Sequence, residues 1–203
     1  WGSLLWPLFG PYCTFNLRSA AGVLTRTLFW IVAGLVFFAS VPFAAFSLAS
    51  QYRSQEPFYV SPLERSKTAL YLRSDSFGKG FFGASRNGGR RHKGLDFLSG
   101  IGDPVVASKS GRITFSGEDK GYGYLVEIAH PDGLITRYAH LSKLQVGMGE
   151  WVPVGRVIGL SGRSGNANDR RIRPHLHFEI RYSDSALNPG RGLLDPAIKV
   201  LNA

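Results

Sequence analysis

The chain predicts an all-β fold: a compact antiparallel β-sandwich or barrel-like domain, preceded by a single transmembrane helix. Three observations predict it. Residues 28–49 read LFWIVAGLVFFASVPFAAFSLA, without one charge. From about residue 76, short apolar alternations are punctuated by Gly, Pro and Asp-Gly, with almost no helical periodicity. The length of 203 residues and 44% hydrophobic content suit one cored domain plus an appendage.

Residues 1–27 are expected to be an N-terminal cytoplasmic or juxtamembrane segment. Its apolar patch at 4–10 is too short to span and is expected to lie at a membrane surface. As a helix, the 22 residues of 28–49 extend about 33 Å, against a hydrocarbon core of about 30 Å. Arg26 and Arg53 flank them, Trp30 suits an interface, and a membrane helix tolerates Pro42 as a kink. A cleaved signal peptide, cut after Ala49 beside the small residues of SLAS, is the competing reading. Its apolar run usually stops at 7–15 residues, and 27 residues precede this one.

Residues 50–75 are mixed polar and read as a tether, with a short helix over 62–72. Residues 76–203 form the β domain. DPVVASKSGRITFSG supplies one or two strands broken at Gly111. GYLVEIAHPDGLITRYAHL predicts a hairpin, with strands 125–129 and 134–139 around a Pro131-Asp132-Gly133 turn. EWVPVGRVIGLSG supplies two short strands around Gly155, and 175–181 forms the final strand.

The net charge of +10 implies an anionic neighbourhood. Residues after position 49 carry 22 basic and 14 acidic side chains, a net of +8, which suits membrane lipid or an acidic polymer. No nucleic-acid motif with interleaved aromatics is present, so nucleic acid is not an expected partner. Cys13 is the only cysteine, which excludes an internal disulfide and a thiolate zinc cluster. A metal would have to be held by His, Asp or Glu.

The chain has five histidines. In RPHLHFEI, a strand places His175 and His177 on one face, about 6–7 Å apart, with Leu176 and Phe178 on the other. Such a pair can ligate a metal, act as base and ligand together, or simply pack. His92 and Asp96, four apart in HKGLD, would be about 13 Å apart in a straight strand. They converge only through a bend or bulge at Lys93-Gly94, where glycine permits the dihedrals. His140 ends the second hairpin strand, as a strand-edge cap or a site residue. His130 sits at the hairpin turn, where a solvent-exposed role is expected.

The order H-x-x-x-D, then HLS, then PHLHFE resembles the lysostaphin-like, or LytM-type, zinc metallopeptidases. The resemblance runs over about 76–201 and includes SFG, HKGLDF, PVVAS, GYGYLVEIAH, RYAHLS, GRVIGLSG, PHLHFEI and a late Asp195-Pro196. It implies a peptidase acting on stem peptides or cross-bridges of bacterial peptidoglycan, with one Zn2+ held by His92, Asp96 and His177. It implies His140 and His175 as the catalytic pair, without saying which is the base. A peptidoglycan substrate places the domain outside the cytoplasmic membrane, with 28–49 as a single-pass anchor. One departure stands out. Family members run almost directly from a Gly-rich loop into TGPHLHFE, whereas SGRSGNANDRRIRPHLHFE is longer and has Arg173 before the proline. Arg170, Arg171 and Arg173 are expected at the cleft rim, either engaging anionic glycan or stem carboxylates or simply forming a solvated loop. Two other classes compete: a non-catalytic domain of this fold that regulates another wall hydrolase, and a biotinyl- or lipoyl-like carrier, which explains none of the histidines.

Overall fold

The computed structural model describes residues 17–202, so the patch at 4–10 and Cys13 lie outside the described residues. The chain divides into two units, after Leu48. Helix α1 (Leu17–Gln55) contains Pro42, and its residues 17–48 are the first unit's described part. Its Thr25–Pro42 stretch has a mean hydropathy of 1.5, and none of it is buried. Phe38 is 77% exposed and Trp30 72%, so this apolar surface has no protein cover among the described residues.

The second unit is built from strands, in chain order β1 (Ala69–Leu72), β2 (Ser74–Asp75), β3 (Gly78–Lys79), β4 (Leu95–Leu98), β5 (Pro104–Val106), β6 (Gly111–Asp119) and β7 (Gly123–Ala129). After these come β8 (Ile135–Leu144), β9 (Trp151–Val152), β10 (Val157–Ser161), β11 (His175–Tyr182), β12 (Ser185–Leu187) and β13 (Lys199–Asn202). The main sheet runs β13-β1-β4-β11-β8-β7-β6-β9, with β10 joining β8 to β5 and β12 paired to β11. Among the described strands only β1 and β13 pair in parallel, and an isolated parallel bridge joins Tyr59 to Leu194. The antiparallel β fold is therefore as expected, and so is the hairpin, β7 to β8.

Alternation explains the core. On β11, Leu176, Phe178 and Ile180 are fully buried against Phe97, Tyr138 and Val126. His175, His177, Glu179 and Arg181 occupy its opposite face and are also buried. A strand polar on one face tolerates a central place only when those groups satisfy one another.

Three expectations are corrected. The stretch 50–75 is not a free tether: Tyr59, Leu63, Leu70 and Leu72 belong to the core. No helix covers 62–72; Leu70 and Leu72 alternate with exposed Tyr71, the period of a strand, and become β1. Its partners lie far away in sequence, at β4 and β13, which local reading cannot supply. Residues 49–56, which belong to this second unit, are also fastened within it. The Tyr52 hydroxyl donates to the Ser110 carbonyl at 2.6 Å, and the Ser110 N–H donates to Glu56 at 2.8 Å. Finally, β11 is not the last strand, since β12 and β13 follow it.

Candidate metal centre

Register brings the first residues together. Asp96 on β4 and Ala139 on β8 both lie opposite His177 on β11. His92 precedes β4 and reaches the same point because the chain between them presses onto β11. A Cβ on Gly94 would sit 2.3 Å from the Phe178 carbonyl oxygen. Gly94 has no left-handed φ, so the expected dihedral freedom is not its role; it provides room for close approach.

The ligand atoms then converge. Asp96 Oδ1 lies 2.9 Å from His92 Nε2 and 2.8 Å from His177 Nδ1, and those two nitrogens are 3.0 Å apart. All three residues are buried. The remaining atoms are held by the protein. His92 Nδ1–H donates to the Phe81 carbonyl at 2.9 Å, leaving the Nε2 lone pair for the centre. His177 Nε2–H donates to Glu179 Oε1 at 2.9 Å. Glu179 is held in turn by the Tyr122 hydroxyl at 2.9 Å and Arg181 at 2.8 Å. Arg73 and Arg86 each donate to Asp96 Oδ2 at 3.0 Å.

His140 reaches the site through a bulge. Between β7 and β8, Tyr124 pairs with Leu141 and Val126 with Tyr138, so β8 carries one extra residue. Tyr138 and Leu141 both stay in the core, and His140, at φ 61°, is turned to the histidine face. Left-handed backbone at a non-glycine residue costs on the order of 1 kcal/mol, a strain typical of functional sites. His140 Nδ1–H donates to the Ser164 carbonyl at 2.9 Å, and its ring centre is 5.0 Å from that of His175. His175 Nδ1–H donates to the Arg173 carbonyl at 2.8 Å, and its Nε2 lies 3.9 Å from Asp96. Both histidines therefore turn an Nε2 lone pair away from their backbone anchors.

The electrostatics separate the imidazoles. Burial, reinforced by His177 and His175, lowers His140 to about 3. Burial lowers His175 to about 4. Burial also opposes charge on His177, but hydrogen bonds to Asp96 and Glu179 raise it to about 9. Burial alone would raise Asp96, yet its hydrogen bond with His177 and the proximity of His92 hold it well below the usual carboxylate range. Glu179 follows the same pattern, brought down to about 2 by His177, Arg181 and Tyr122 against its burial.

Two imidazoles and a carboxylate are a zinc-type donor set, and tetrahedral bonds of about 2.0–2.2 Å separate ligand atoms by about 3.3 Å. The observed separations of 2.8–3.0 Å reach that with shifts of a few tenths of an ångström, so the residues fit the ion. The group borders a cleft of about 1090 Å³, whose walls include Arg86, Arg91, Tyr122, Asn166 and Ile172.

All five expected site residues, His92, Asp96, His140, His175 and His177, line this cleft. Sequence reading missed Glu179, Tyr122, Arg73 and Arg86. Glu179 had a signal, since it stands two residues after His177 on the same strand face. Arg73 had none. His130 is not solvent-exposed, contrary to expectation. It is buried, its Nδ1 2.9 Å from the Ser110 carbonyl and its Nε2 2.8 Å from Thr136 Oγ1, because the turn folds back beneath Tyr59. Ile172 of the long loop and Phe77 line the cleft, and the loop arginines border it without lining its interior. Arg171 pairs with Asp169 at 2.8 Å and covers the Phe77 ring at 4.8 Å.

Residues 90–189, which contain all five, match the family model of peptidase family M23. The chain belongs to that family. M23 relatives include the DD-carboxypeptidase/endopeptidase Mpg of Neisseria meningitidis serogroup B. It is 44% identical over 100 residues, 49% of this chain and 22% of Mpg. The murein hydrolase activator NlpD of Escherichia coli is 36% identical over 113 residues, 55% of this chain and 28% of NlpD. The structure of lysostaphin from Staphylococcus simulans, an antimicrobial peptidase, superposes with a TM-score of 0.51 at 30% identity. That match covers 60% of this chain and 52% of lysostaphin. The chain thus spans only about a fifth to a quarter of the length of these curated relatives.

Proposed function

We propose that this chain is a membrane-anchored zinc metalloendopeptidase that hydrolyses peptide bonds in the cross-links or stem peptides of bacterial peptidoglycan. His92, Asp96 and His177 hold the ion, and His140 and His175 handle protons beside it. The observation that carries the reading is the convergence of three ligand atoms within 3.0 Å, flanked by two neutral imidazoles on the same cleft. Bound there, zinc supplies a Lewis acid that acidifies water and polarises a carbonyl.

The chain's own residues supply the rest. Asp96 and the lone pairs of His92 and His177 fix the centre, and Glu179 holds the His177 ring in place. His140 and His175 are neutral at pH 7, with pKa values lowered by burial to about 3 and about 4. Each has its Nδ1–H committed to a carbonyl, so Nε2 is the atom that accepts a proton. The imidazolium so formed is the donor for the leaving amine, and its N–H stabilises a developing oxyanion. Placement follows from the substrate: peptidoglycan lies outside the cytoplasmic membrane, so 28–49 is a single-pass anchor and the β domain faces outward.

The relationship to NlpD supports a second reading, a domain that activates another murein hydrolase. Five filled site positions favour the enzyme. The deciding experiment measures zinc content and digests purified sacculi and defined muropeptides, with and without a chelator. Hydrolysis abolished by chelation and restored by zinc is expected. His177→Ala loses both zinc and hydrolysis, whereas His140→Ala keeps zinc and loses about 10²–10⁴-fold in rate. A zinc-free protein that stimulates a separate murein hydrolase would establish the activator instead.

A further inference from the structure

The cleft lining is rich in cations. Arg86, Arg90, Arg91 and Lys93, all within residues 86–93, line it beside Arg73 and neutral Tyr122 and Asn166. The acids of the lining are already engaged. Asp96 accepts from Arg73 and Arg86, and Glu179 from Arg181. Arg90, Arg91 and Lys93 have no carboxylate partner among the described residues.

Two of these cations are also held in place. Arg90 Nε–H donates to the Asn87 carbonyl at 3.2 Å, and Arg91 Nη1 donates to the Gly83 carbonyl at 3.2 Å. The turn before them needs two successive left-handed residues, Gly88 at φ 74° and Gly89 at 71°. A guanidinium fixed by one N–H to a neutral carbonyl keeps its other donors and its whole charge for a ligand. Cations scattered for solubility need neither a dedicated turn nor a common cavity wall.

We infer that Arg90, Arg91 and Lys93 form a subsite for a free carboxylate on the substrate peptide, beside the scissile bond. This inference rests on the peptidase reading and narrows it. The preferred substrate is a stem peptide carrying an unamidated carboxylate, and a neutral bridge of glycine residues is a poor one. Because Arg91 and Lys93 flank His92 in the chain, the carboxylate is held on the His92 side of the centre.

The test uses the full chain, loaded with zinc in detergent micelles, and two synthetic cross-linked stem peptides differing only in a carboxylate or a carboxamide. The carboxylate peptide is expected to show at least about tenfold higher kcat/KM at low salt, since a charge-assisted pair typically discriminates by that much. In Arg90→Gln/Arg91→Gln/Lys93→Gln, and by a smaller step in Lys93→Gln alone, the ratio falls toward one. Circular dichroism verifies that the variants fold. A wild-type ratio near one, or a ratio unchanged in the triple variant, overturns the inference. Binding of the same two peptides, followed by fluorescence anisotropy, separates this result from failure of the enzyme reading. A chain that cleaves neither peptide yet binds the carboxylate form more tightly, and loses that preference in the triple variant, overturns the peptidase reading and keeps the subsite. Equal binding of both peptides overturns the subsite.

Discussion

Glu179 shows how much a single side chain organises here. It is fully buried and accepts from His177, Tyr122 and Arg181 at 2.8–2.9 Å, so its charge is matched and its position fixed. A carboxylate behind a ligating imidazole holds the ring and strengthens its donor nitrogen, and losing such a partner typically costs 10–100-fold in metal affinity. Glu179→Gln keeps the shape but lets the amide present an N–H to His177. Zinc affinity measured against a competing chelator is expected to fall by about 10–100-fold, with activity regained at excess zinc. At this scale the sequence was informative where a strand rule applies. His175 and His177 share a face because alternation requires it, and Glu179 was readable by the same rule. His140 was not readable as a facing residue, because an extra residue in β8 reverses the alternation just before it. His130 was misread because a turn position says nothing about what folds over the turn.

At the scale of elements, the site depends on β4 and its leading loop lying flat on β11. Gly94 makes that contact possible, and Gly94→Ala places a methyl against the Phe178 carbonyl and the Glu179 side chain. The loop must lift, taking His92 with it. Overpacking of this kind costs about 1–3 kcal/mol, so urea unfolding of the metal-free protein should show that loss together with weaker zinc binding. The β7–β8 turn offers a second, independent measurement. Asp132 accepts from Lys109 at 2.7 Å and from Tyr59 at 3.0 Å, and Lys109 is itself buried beneath the hairpin. Burial would raise the Asp132 carboxyl, but Lys109 and the Leu134 N–H hold it below the usual carboxylate value. A depressed folded pKa contributes stability above the unfolded value of about 3.9, and that contribution is lost as pH falls through the folded value. Asp132→Asn should be less stable at pH 7 by about 3 kcal/mol, because a buried lysine loses its partner. Its thermal midpoint should then fall less steeply than wild type below about pH 4. The hairpin was legible from Pro-Asp-Gly and its apolar flanks. The packing of 59–72 was not, since β1 finds its neighbours at β4 and β13, and pairing over such distances leaves no local pattern.

For the whole molecule, the exposed apolar helix of the first unit is the feature that membrane attachment would cover. Its Thr25–Pro42 stretch is long and apolar enough to cross a bilayer, and it lacks internal cover. Arg18 and Arg26 precede the apolar run and Arg53, Arg65 and Lys67 follow it, a balance too even to set direction by the positive-inside rule. The basic surface after residue 49, at net +8, would also draw the chain to anionic lipid without any insertion. Salt tells the two apart, because charge attraction is screened over about 3 Å at 1 M ionic strength and burial of an apolar helix is not. With the proposed anchor, the intact chain stays in the membrane fraction through a 1 M salt wash and through alkaline extraction. Elution by salt alone would leave only surface attraction. Mass measurement of the membrane-bound form discriminates further: retention of residues 28–49 supports the anchor, whereas a chain beginning at Ser50 means that the segment was a signal peptide. Protease added to intact spheroplasts should digest the β domain, and protection of that domain would reverse the proposed topology and remove its access to peptidoglycan.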